Sequence, residues 1–409
     1  MNTDTVTGGP LAGVRVADFT WVWAGPTSTL QLALMGADVI KVESPRRMDT
    51  IRRLPPYADG IAGTNRSGYF NQYNQGKRSI ALNLKQPEAL QAAKDLVAVS
   101  DVVTENFAAG VMDRLGLGYE GLREIKPDLV MISYSGYGAS GPKASYVAYG
   151  PVQVPMIGLA SLSGYQGLGP SEVGLSYGDP NAGLHAALAV LAALWHKRRT
   201  GEGQYIDMSQ WEAAIGLSAE GLMSHVINGQ QPARQGNRDL LEAPQGVFPC
   251  QGEDEWVAIS CWQDEQWRGL CTVLTRHDLV EDTDLATAQG RKRREQELEA
   301  AITAWTRERP WAEVVRLLQA RSVPSYHVLS NQGVAEDEQL NALGVFTEIE
   351  HPEVGVRRHV GAPWRFGGSD VGIDRCAPLL GQHTNEVLRD VLRYDEARIA
   401  ALIQSGACV

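Results

Sequence analysis

Strand-like and helix-like segments alternate through the first 150 residues, and this alternation limits the fold more than any other feature of the sequence. Short apolar runs at 14–19 and 38–43 predict buried strands, and the stretches at 24–37 and 87–99 predict helices. Alternating strands and helices form βαβ units, whose strands lie parallel in one sheet. We therefore predict an α/β fold, with a Rossmann-like large domain built on a parallel sheet.

The pattern changes after residue 200, and the predicted domain boundaries follow that change. A polar stretch at 228–246 has the composition of a linker, and strand-like runs followed by charged helical patterns come after it. These features predict a smaller α+β domain. The predicted parts are 1–200 as the N-terminal part of the large domain, 201–229 as a linker helix, 230–330 as the small domain, and 331–409 as a C-terminal segment that returns to the large domain and includes an amphipathic helix at 384–403.

Charge and cysteine content limit the partners that we expect. The formal net charge of −11 argues against nonspecific binding to nucleic acids or anionic membranes, because both require a basic surface. The most apolar run, at 182–195, is too short to span a bilayer, and the N-terminus has no signal-peptide pattern. The five cysteines include no CxxC pair, which favours reduced thiols. We therefore expect a cytoplasmic protein that binds neither nucleic acid nor membrane.

The stretch Gly178-Asp179-Pro180 precedes a long apolar run and allows two interpretations. Asp followed by Pro is the pattern of a helix N-cap with proline at the first helical position. Apolar residues from Leu184 to Trp195 recur at helical spacing, which predicts a helix. The local pattern favours a cap, but a carboxylate flanked by glycines can also carry out chemistry.

Three other segments are candidate binding loops. The glycines of 136–141 match G-x-G-x-x-G, but Pro142 follows at once and no acid lies about 20 residues downstream, so a nucleotide fingerprint is incomplete. Residues 74–79 place a lysine–arginine pair before a strand, where cations can meet phosphates. Asn106 and Phe107 follow a strand, and an aromatic ring with the nearby Arg114 can hold a purine. A solvated turn or a plain Gly-rich loop explains each segment equally well.

Taken together, the segments resemble the family III CoA-transferases, also called the CaiB/BaiF family, which includes formyl-CoA transferase. The resemblance spans nearly the whole chain and rests on LAGVRVADFTWVWAGP, GADVIKVESP, NQGKRSIALNLK, ENFAAGVMDRLGLGYE, ISYSGYGASGP, GDPNAG, RRTGEGQYIDMS and APLLGQHTNEVL. It implies a CoA-transferase that moves CoA from an acyl-CoA donor to a free carboxylic acid. It also implies an interlocked homodimer, with coenzyme A and acyl-CoA as substrates and with no metal or permanently bound cofactor.

The resemblance assigns residues to roles. Asp179 matches the family's nucleophile, which passes through an aspartyl-CoA thioester. The implied CoA-binding residues are Asn74, Gln75, Gly76, Lys77, Asn106, Phe107, Arg114, Gly136, Tyr137 and Gly138. The implied substrate-pocket residues are Trp23, Ala24 and Tyr149.

The chain departs from formyl-CoA transferase at several positions. Trp23 stands where that enzyme has a glutamine near the reacting carbonyl. Ser44 stands where it has a phosphate-binding arginine, and Arg46 or Arg47 can take over that role. The tetraglycine loop is absent. These departures argue against formate or oxalate as substrate. Two alternatives stay open: a 2-methylacyl-CoA racemase, whose catalytic His would fall near Tyr149, and a subunit that depends on a homologous partner in a hetero-oligomer. Tyrosine is a poor base at neutral pH, which favours the transferase.

Overall fold

The structure is a computed structural model that describes residues 8–174, 176–373 and 375–408. The chain forms two compact units. The first unit contains the residues up to Leu159, Glu172–Met223 and the residues from Ala342 onward, and the second contains Ala160–Ser171 and Ser224–Asn341. The first unit carries a six-stranded parallel sheet and the second a three-stranded antiparallel sheet, so the predicted α/β fold class is confirmed.

The order of strands in the large sheet locates a ligand-binding crevice. The strands of the structure are β1 (Arg15–Asp18), β2 (Asp38–Glu43), β3 (Arg78–Ala81), β4 (Val102–Glu105), β5 (Val130–Ser133), β6 (Gln204–Asp207), β7 (Gln245–Pro249), β8 (Trp256–Ser260), β9 (Ser325–His327), β10 (Phe346–His351) and β11 (Gly355–Val360). The large sheet has the order β3-β2-β1-β4-β5-β6, and all its pairs are parallel. The order reverses between β1 and β4, and open α/β sheets bind ligands at the carboxyl ends of the strands beside such a reversal.

Helices cover both faces of this sheet, which explains why its central strands are buried along nearly their whole length. The α-helices are α1 (Ala24–Leu34), α2 (Gly68–Tyr73), α3 (Pro87–Ala98), α4 (Val111–Arg114), α5 (Tyr119–Ile125), α6 (Gly150–Met156), α7 (Leu159–Leu162), α8 (Gly178–Thr200), α9 (Gln210–Ile215), α10 (Ala219–Asn228), α11 (Asp264–Val273), α12 (His277–Glu281), α13 (Ala288–Arg293), α14 (Glu295–Thr306), α15 (Trp311–Gln319), α16 (Asn331–Glu336), α17 (Glu338–Ala342), α18 (Thr384–Glu386) and α19 (Glu396–Gln404). One core contains α3, α5 and α19, and the other contains α1 and α8. No helix in the described parts of the chain is long and apolar enough to cross a membrane.

The helix predicted after Asp179 is confirmed as α8, but its large apolar side chains do not face the core. Its small residues pack inward, whereas Leu184, Leu188 and Trp195 are 52%, 65% and 61% exposed. The reason is the close approach of α1: a Cβ at Gly183 would lie 2.7 Å from the carbonyl oxygen of Ala24. Only small side chains fit between the two helices, so the large apolar stripe faces outward.

The predicted continuous helix at 384–403 is wrong. The chain forms α18, a π-helical turn at Val387–Val391 and, after a break, α19. Arg393 lies in the break with φ at 59°, a left-handed conformation through which a right-handed helix cannot continue. The Asp395 side chain then accepts a hydrogen bond from a backbone N–H in the first turn of α19 and caps that helix.

The second unit has its own core beneath the sheet β7-β8-β9. Trp267 and Leu270 of α11 and Leu298 of α14 are buried there, together with the thiols of Cys261 and Cys271. No cysteine of the described chain forms a disulfide.

Candidate active site

Asp179 lies in the first turn of α8 and does not cap it. The helix begins at Gly178 because Tyr177 already has helical backbone angles, with φ at −56° and ψ at −22°. Asp179 is therefore the second residue of the helix, and the predicted cap with Pro180 in first position is wrong. The backbone N–H of Asp179 donates to the carbonyl oxygen of Ser176 at 3.0 Å.

The carboxylate of Asp179 is buried without compensation. The residue is 8% exposed, no hydrogen bond to its carboxylate is found within the described chain, and desolvation is the one influence on its ionisation. Burial raises the pKa of Asp179 to about 7. A carboxylate in this position costs stability, because a buried charge is unfavourable unless it is paired or hydrogen-bonded. A perturbed and unpaired carboxylate of this kind is a candidate for chemistry.

Gly150, at the start of α6, supports one side of the carboxylate. A Cβ at Gly150 would lie 2.1 Å from Oδ2 of Asp179 and 2.5 Å from Cβ of Ser176. The backbone of α6 therefore approaches the carboxylate to a distance that only glycine allows. Tyr149, a predicted pocket residue, is the residue before this helix and is 66% exposed. The sequence analysis missed Gly150, although it adjoins a predicted position.

The loop after β1 leads to a second element that packs against α8, one turn after Asp179. This element is α1, which begins at Ala24, whose carbonyl oxygen is packed against Gly183. Val22 in this loop has φ at 65°, which is a strained conformation for a β-branched residue. Its N–H donates to Oδ1 of Asp49 at 2.9 Å, and this bond holds the strained conformation.

Trp23 of the same loop belongs to a cluster of three aromatic rings with Tyr69 and Tyr73 of α2. The ring centroids are 5.6–5.7 Å apart. Burial first, and then the negative charge of Asp179, raise the pKa of the Tyr69 phenol well above its usual value, so this ring lies within electrostatic reach of the carboxylate. Sequence reasoning identified Trp23 but missed both tyrosines, which are spaced one helical turn apart just before the loop that begins at Asn74.

The loop at 74–77 lies inside the protein and does not face solvent. The amine of Lys77 is fully buried and donates to Oγ1 of Thr29 at 2.7 Å and Oδ1 of Asn74 at 3.0 Å, beside Oδ2 of Asp18 at 3.3 Å. Burial lowers the pKa of Lys77 to about 8. The predicted contact of this amine with CoA phosphates does not fit the structure, because its hydrogens are used inside the protein.

The neighbours of Lys77 in this loop are equally structural. Asn74 and Gln75 are buried, and the amide of Gln75 donates to the carbonyl oxygen of Val360 at 3.2 Å. Gly76 has φ at 77° and lies against Ile373. We therefore assign these predicted CoA-binding residues a role in holding the loop after β1 rather than in contacting the ligand.

The crevice between β1 and β4 brings together the other part of the predicted CoA site. Trp21 N–H donates to Oδ1 of Asn106 at 2.8 Å, and Nδ2 of Asn106 donates back to the Trp21 carbonyl oxygen at 2.9 Å. The Trp21 ring lies edge-on to Phe107 at 5.6 Å, and the Arg47 guanidinium lies 5.5 Å from the Trp21 ring centroid. Arg114 is exposed on α4. This edge combines aromatic surface with two arginines.

A buried glutamate orders this edge. Oε2 of Glu105, at the end of β4, accepts the N–H of Phe107 at 2.7 Å. Burial raises the pKa of Glu105 to about 7. The sequence analysis did not single out this residue, because a glutamate at a strand end is usually exposed.

The predicted glycine-rich loop after β5 packs against α9. Tyr137 contacts the rings of Trp211 and Tyr146, both at 5.6 Å between centroids. Gly136 accepts the N–H of Trp211, and Gly138 has φ at 82°. The structure records no contact of these three residues with Asp179. No group of three or more metal-ligating side chains is assembled in the described residues.

Known proteins resemble this chain over nearly its whole length. The sequence model of CoA-transferase family III matches residues 11–384. The chain is 34% identical to a formyl-CoA:oxalate CoA-transferase of Rhodopseudomonas palustris, covering 97% of both chains. It is 32% identical to the succinyl-CoA:glutarate CoA-transferase of Mus musculus, covering 97% of this chain and 90% of that one. A crystal structure of a CaiB/BaiF family protein from Brucella suis superposes with a TM-score of 0.85 at 32% identity, covering 94% of this chain and 100% of that one.

Proposed function

The chain belongs to CoA-transferase family III and is a CoA-transferase acting on acyl-CoA and carboxylate substrates, and from this premise we propose that Asp179 is its nucleophile and forms a covalent aspartyl-CoA thioester. The observation that carries the proposal is the buried carboxylate itself, which accepts no hydrogen bond within the described chain and lies against glycine backbone. A buried, unpaired carboxylate lowers the stability of the folded protein. No bonding partner in the described structure explains why Asp179 is buried.

The proposed reaction is a series of acyl exchanges. The Asp179 carboxylate attacks the carbonyl carbon of the acyl-CoA, and the CoA thiolate leaves, which gives a mixed anhydride. The thiolate then attacks the aspartyl carbonyl, which releases the donor acid and leaves CoA attached to Asp179 as a thioester. The acceptor carboxylate attacks this thioester and displaces the thiolate. The thiolate finally attacks the acceptor half of the second anhydride, which gives the new acyl-CoA and regenerates the Asp179 carboxylate.

Burial favours these steps in two ways. A desolvated carboxylate is a better nucleophile than a hydrated one, and with its pKa near 7 a large fraction of Asp179 is ionised at neutral pH. The first backbone N–H groups of α1, which begins at Ala24, have no partners within their helix, and we propose them as donors to the developing oxyanion. The contact of Ala24 with Gly183 places this helix start against the same face of α8 as Asp179.

We place the nucleotide half of CoA in the crevice between β1 and β4. Trp21 and Phe107 offer ring surface for the adenine, and Arg47 and Arg114 offer cations for the phosphates. The Arg47 guanidinium lies 5.5 Å from the Trp21 ring centroid, whereas Lys77 is fully buried, so Arg47 replaces Lys77 in the proposed site.

Arg114→Ala is expected to raise the KM for acyl-CoA about tenfold with little change in kcat, because a lost charge-assisted hydrogen bond costs about 1.5–3 kcal/mol. Steady-state kinetics at several donor concentrations measures both constants. Arg123→Ala is the matched control, since Arg123 is an exposed arginine in α5, after the proposed contact region. An unchanged KM with lost turnover would place the nucleotide elsewhere.

The exposed stripe of α8 supports the further proposal that the protein is a dimer, of the interlocked type that the family resemblance implies. Leu184, Leu188 and Trp195 form an apolar row on one face of the helix. A soluble chain rarely leaves such a row in water. We propose that a second copy covers it within an interface larger than the ordinary range of about 1,200–2,000 Å². A homologous partner subunit would cover the same row, and mass analysis of the purified assembly distinguishes the two.

Leu188→Glu is expected to shift the assembly from dimer to smaller or partly unfolded species, because it places a charge in a buried apolar interface. Sedimentation velocity at micromolar concentration measures the mass, and circular dichroism checks that the chain is folded. Ile125→Glu is the control, since Ile125 is an exposed apolar residue of the same unit outside α8. A monomeric wild-type protein would contradict the dimer.

A further inference from the structure

We infer that the aromatic cluster of Trp23, Tyr69 and Tyr73 forms the acyl-group pocket and selects an acid whose carbon skeleton carries an aromatic ring. This inference rests on the proposed function, because it assumes that acyl transfer takes place at Asp179. It names a substrate class that differs from the formate, oxalate, succinate and glutarate in the names of the relatives.

The cluster is a rigid surface made of ring edges and faces. The Trp23 ring meets Tyr69 at an interplanar angle of 80° and Tyr73 at 57°, and the two tyrosines meet at 74°. All three side chains are only partly buried, so each retains ring surface that a ligand can cover. Inclined rings of this kind accept a further ring in edge-to-face or offset geometry.

The residues that hold the cluster in place are buried, and their polar side chains are hydrogen-bonded or ion-paired. Phe70, between the two tyrosines in α2, is buried beneath the Arg52 guanidinium, which lies 3.5 Å from its ring centroid. Arg52 in turn is paired with Glu43 at 2.7 Å, and neither side chain is exposed. The hydroxyl of Ser67 accepts the N–H of Phe70 and caps the helix. The rings therefore keep their positions without a ligand.

Two observations relate the cluster to the reacting carboxylate of Asp179. Tyr69 lies within electrostatic reach of Asp179, and Trp23 directly precedes the first residue of α1, whose carbonyl oxygen packs against Gly183 on α8. An acyl chain attached to the Asp179 carbonyl through an anhydride would therefore begin next to these rings.

The charges around the cluster disfavour small dicarboxylates. Asp179 and Asp49 are the charged groups whose field reaches Tyr69, and both are acidic. The nearby cation of Lys41 is buried and paired with Asp49 at 3.1 Å. Within the described chain, no arginine or lysine lies over any of the three rings. A second carboxylate on the acyl group would find no cation at these rings to pair with, whereas an aromatic ring would meet apolar surface.

The test compares two thioesters that differ only by a ring, 3-phenylpropanoyl-CoA and propanoyl-CoA. The first half of the reaction needs only the donor, so release of the free acid and trapping of the Asp179 thioester with hydroxylamine measure it directly. We expect wild-type protein to be loaded at least about tenfold more efficiently by the phenyl compound, since it gains contacts with more than one ring.

Tyr73→Leu should reduce this preference about tenfold through the KM of the phenyl thioester, because it removes one ring contact. Tyr119→Leu is the matched control: its ring packs against Tyr205 at 5.2 Å in another part of the unit, so the preference should persist. Equal or better loading by propanoyl-CoA or succinyl-CoA would overturn the inference while leaving the proposed function intact. Failure of all three thioesters to load Asp179 would instead overturn the proposed function, and the inference with it.

Discussion

Replacing Asp179 by asparagine is expected to abolish CoA transfer while the protein becomes more resistant to unfolding. Asparagine has nearly the same shape but cannot form the anhydride, so no route to the enzyme thioester remains. Donor acyl-CoA followed by hydroxylamine should label Asp179 in the wild type and nothing in the variant. Isotope-labelled acceptor acid gives the residual rate of transfer.

The gain in stability follows from the sign of the pKa shift. The pKa of Asp179 is raised from 3.8 to about 7 by burial, so the folded state binds the proton more tightly than the unfolded state. Between pH 3.8 and about 7 the unfolded chain ionises this carboxyl while the folded chain still holds its proton, so the stability of the wild type falls relative to the variant. The difference of roughly three pKa units corresponds to an upper value of about 4 kcal/mol.

Urea unfolding of both proteins at pH 5 and pH 8 tests this stability difference. The variant should unfold at higher urea than the wild type at pH 8, and the gap should narrow at pH 5. Asp278→Asn is the control, because Asp278 is an exposed carboxylate paired with Arg276 at the surface. A variant that is less stable at pH 8 would indicate a structural role for Asp179, and substantial residual transfer would defeat the mechanism.

The racemase alternative predicts a different outcome. Proton–deuterium exchange at the α-carbon of an acyl-CoA, without any acceptor acid, would support it. Tyr149 occupies the position where a racemase would have its histidine, and it is 66% exposed rather than enclosed beside the carboxylate. Solvent-exposed side chains are poorly held for proton abstraction, so we expect no exchange.

Gly150→Ala is expected to lower kcat about 100-fold with a smaller effect on the KM for acyl-CoA. The added methyl would lie 2.1 Å from Oδ2 of Asp179, so the carboxylate or α6 must shift by about 1 Å, and a misplacement of that size costs about 100-fold in rate. Single-turnover loading of Asp179 measures the chemical step directly.

Two further measurements separate this positioning role from general destabilisation. The acidic limb of the pH–rate profile should move to lower pH in Gly150→Ala, because a carboxylate displaced toward solvent is easier to ionise. Gly121→Ala is the control, since a Cβ at Gly121 meets nothing within 4 Å and its backbone needs no left-handed angle. A Gly150→Ala protein with wild-type kcat would contradict the close contact with Asp179.

The sequence alone determined the class of fold and the family. The alternation of apolar runs with helical segments predicted a parallel α/β sheet, and the ordered motifs from LAGVRVADF to GDPNAG identified a family III CoA-transferase. Both conclusions depend on local features of the sequence, namely strand and helix periodicity and short motifs in a given order. The same local motif singled out Asp179 as the candidate nucleophile.

Local pattern identified the buried strands β1 and β2 but not the buried parts of α8 and of the loop at 74–77. The apolar stripe of α8 has the period of a core-facing helix, yet α1 approaches so closely at Gly183 that only the small-residue face can be buried. Lys77 precedes a strand and has the composition of an exposed loop, yet Asp18 and Thr29 enclose its amine. In both cases the decisive neighbour is far away along the chain.

The surroundings of Asp179 were decided by tertiary structure alone. Gly150 and Tyr69 lie 29 and 110 positions before Asp179 in the chain. No local motif at either position indicates that the residue lies near Asp179. The packing of α6 against α8 brings Gly150 into close contact with Asp179, and the position of α2 brings Tyr69 within electrostatic reach of it. The physical reason is that a raised pKa and a shaped pocket depend on what excludes water, and exclusion of water depends on every element that packs around the group.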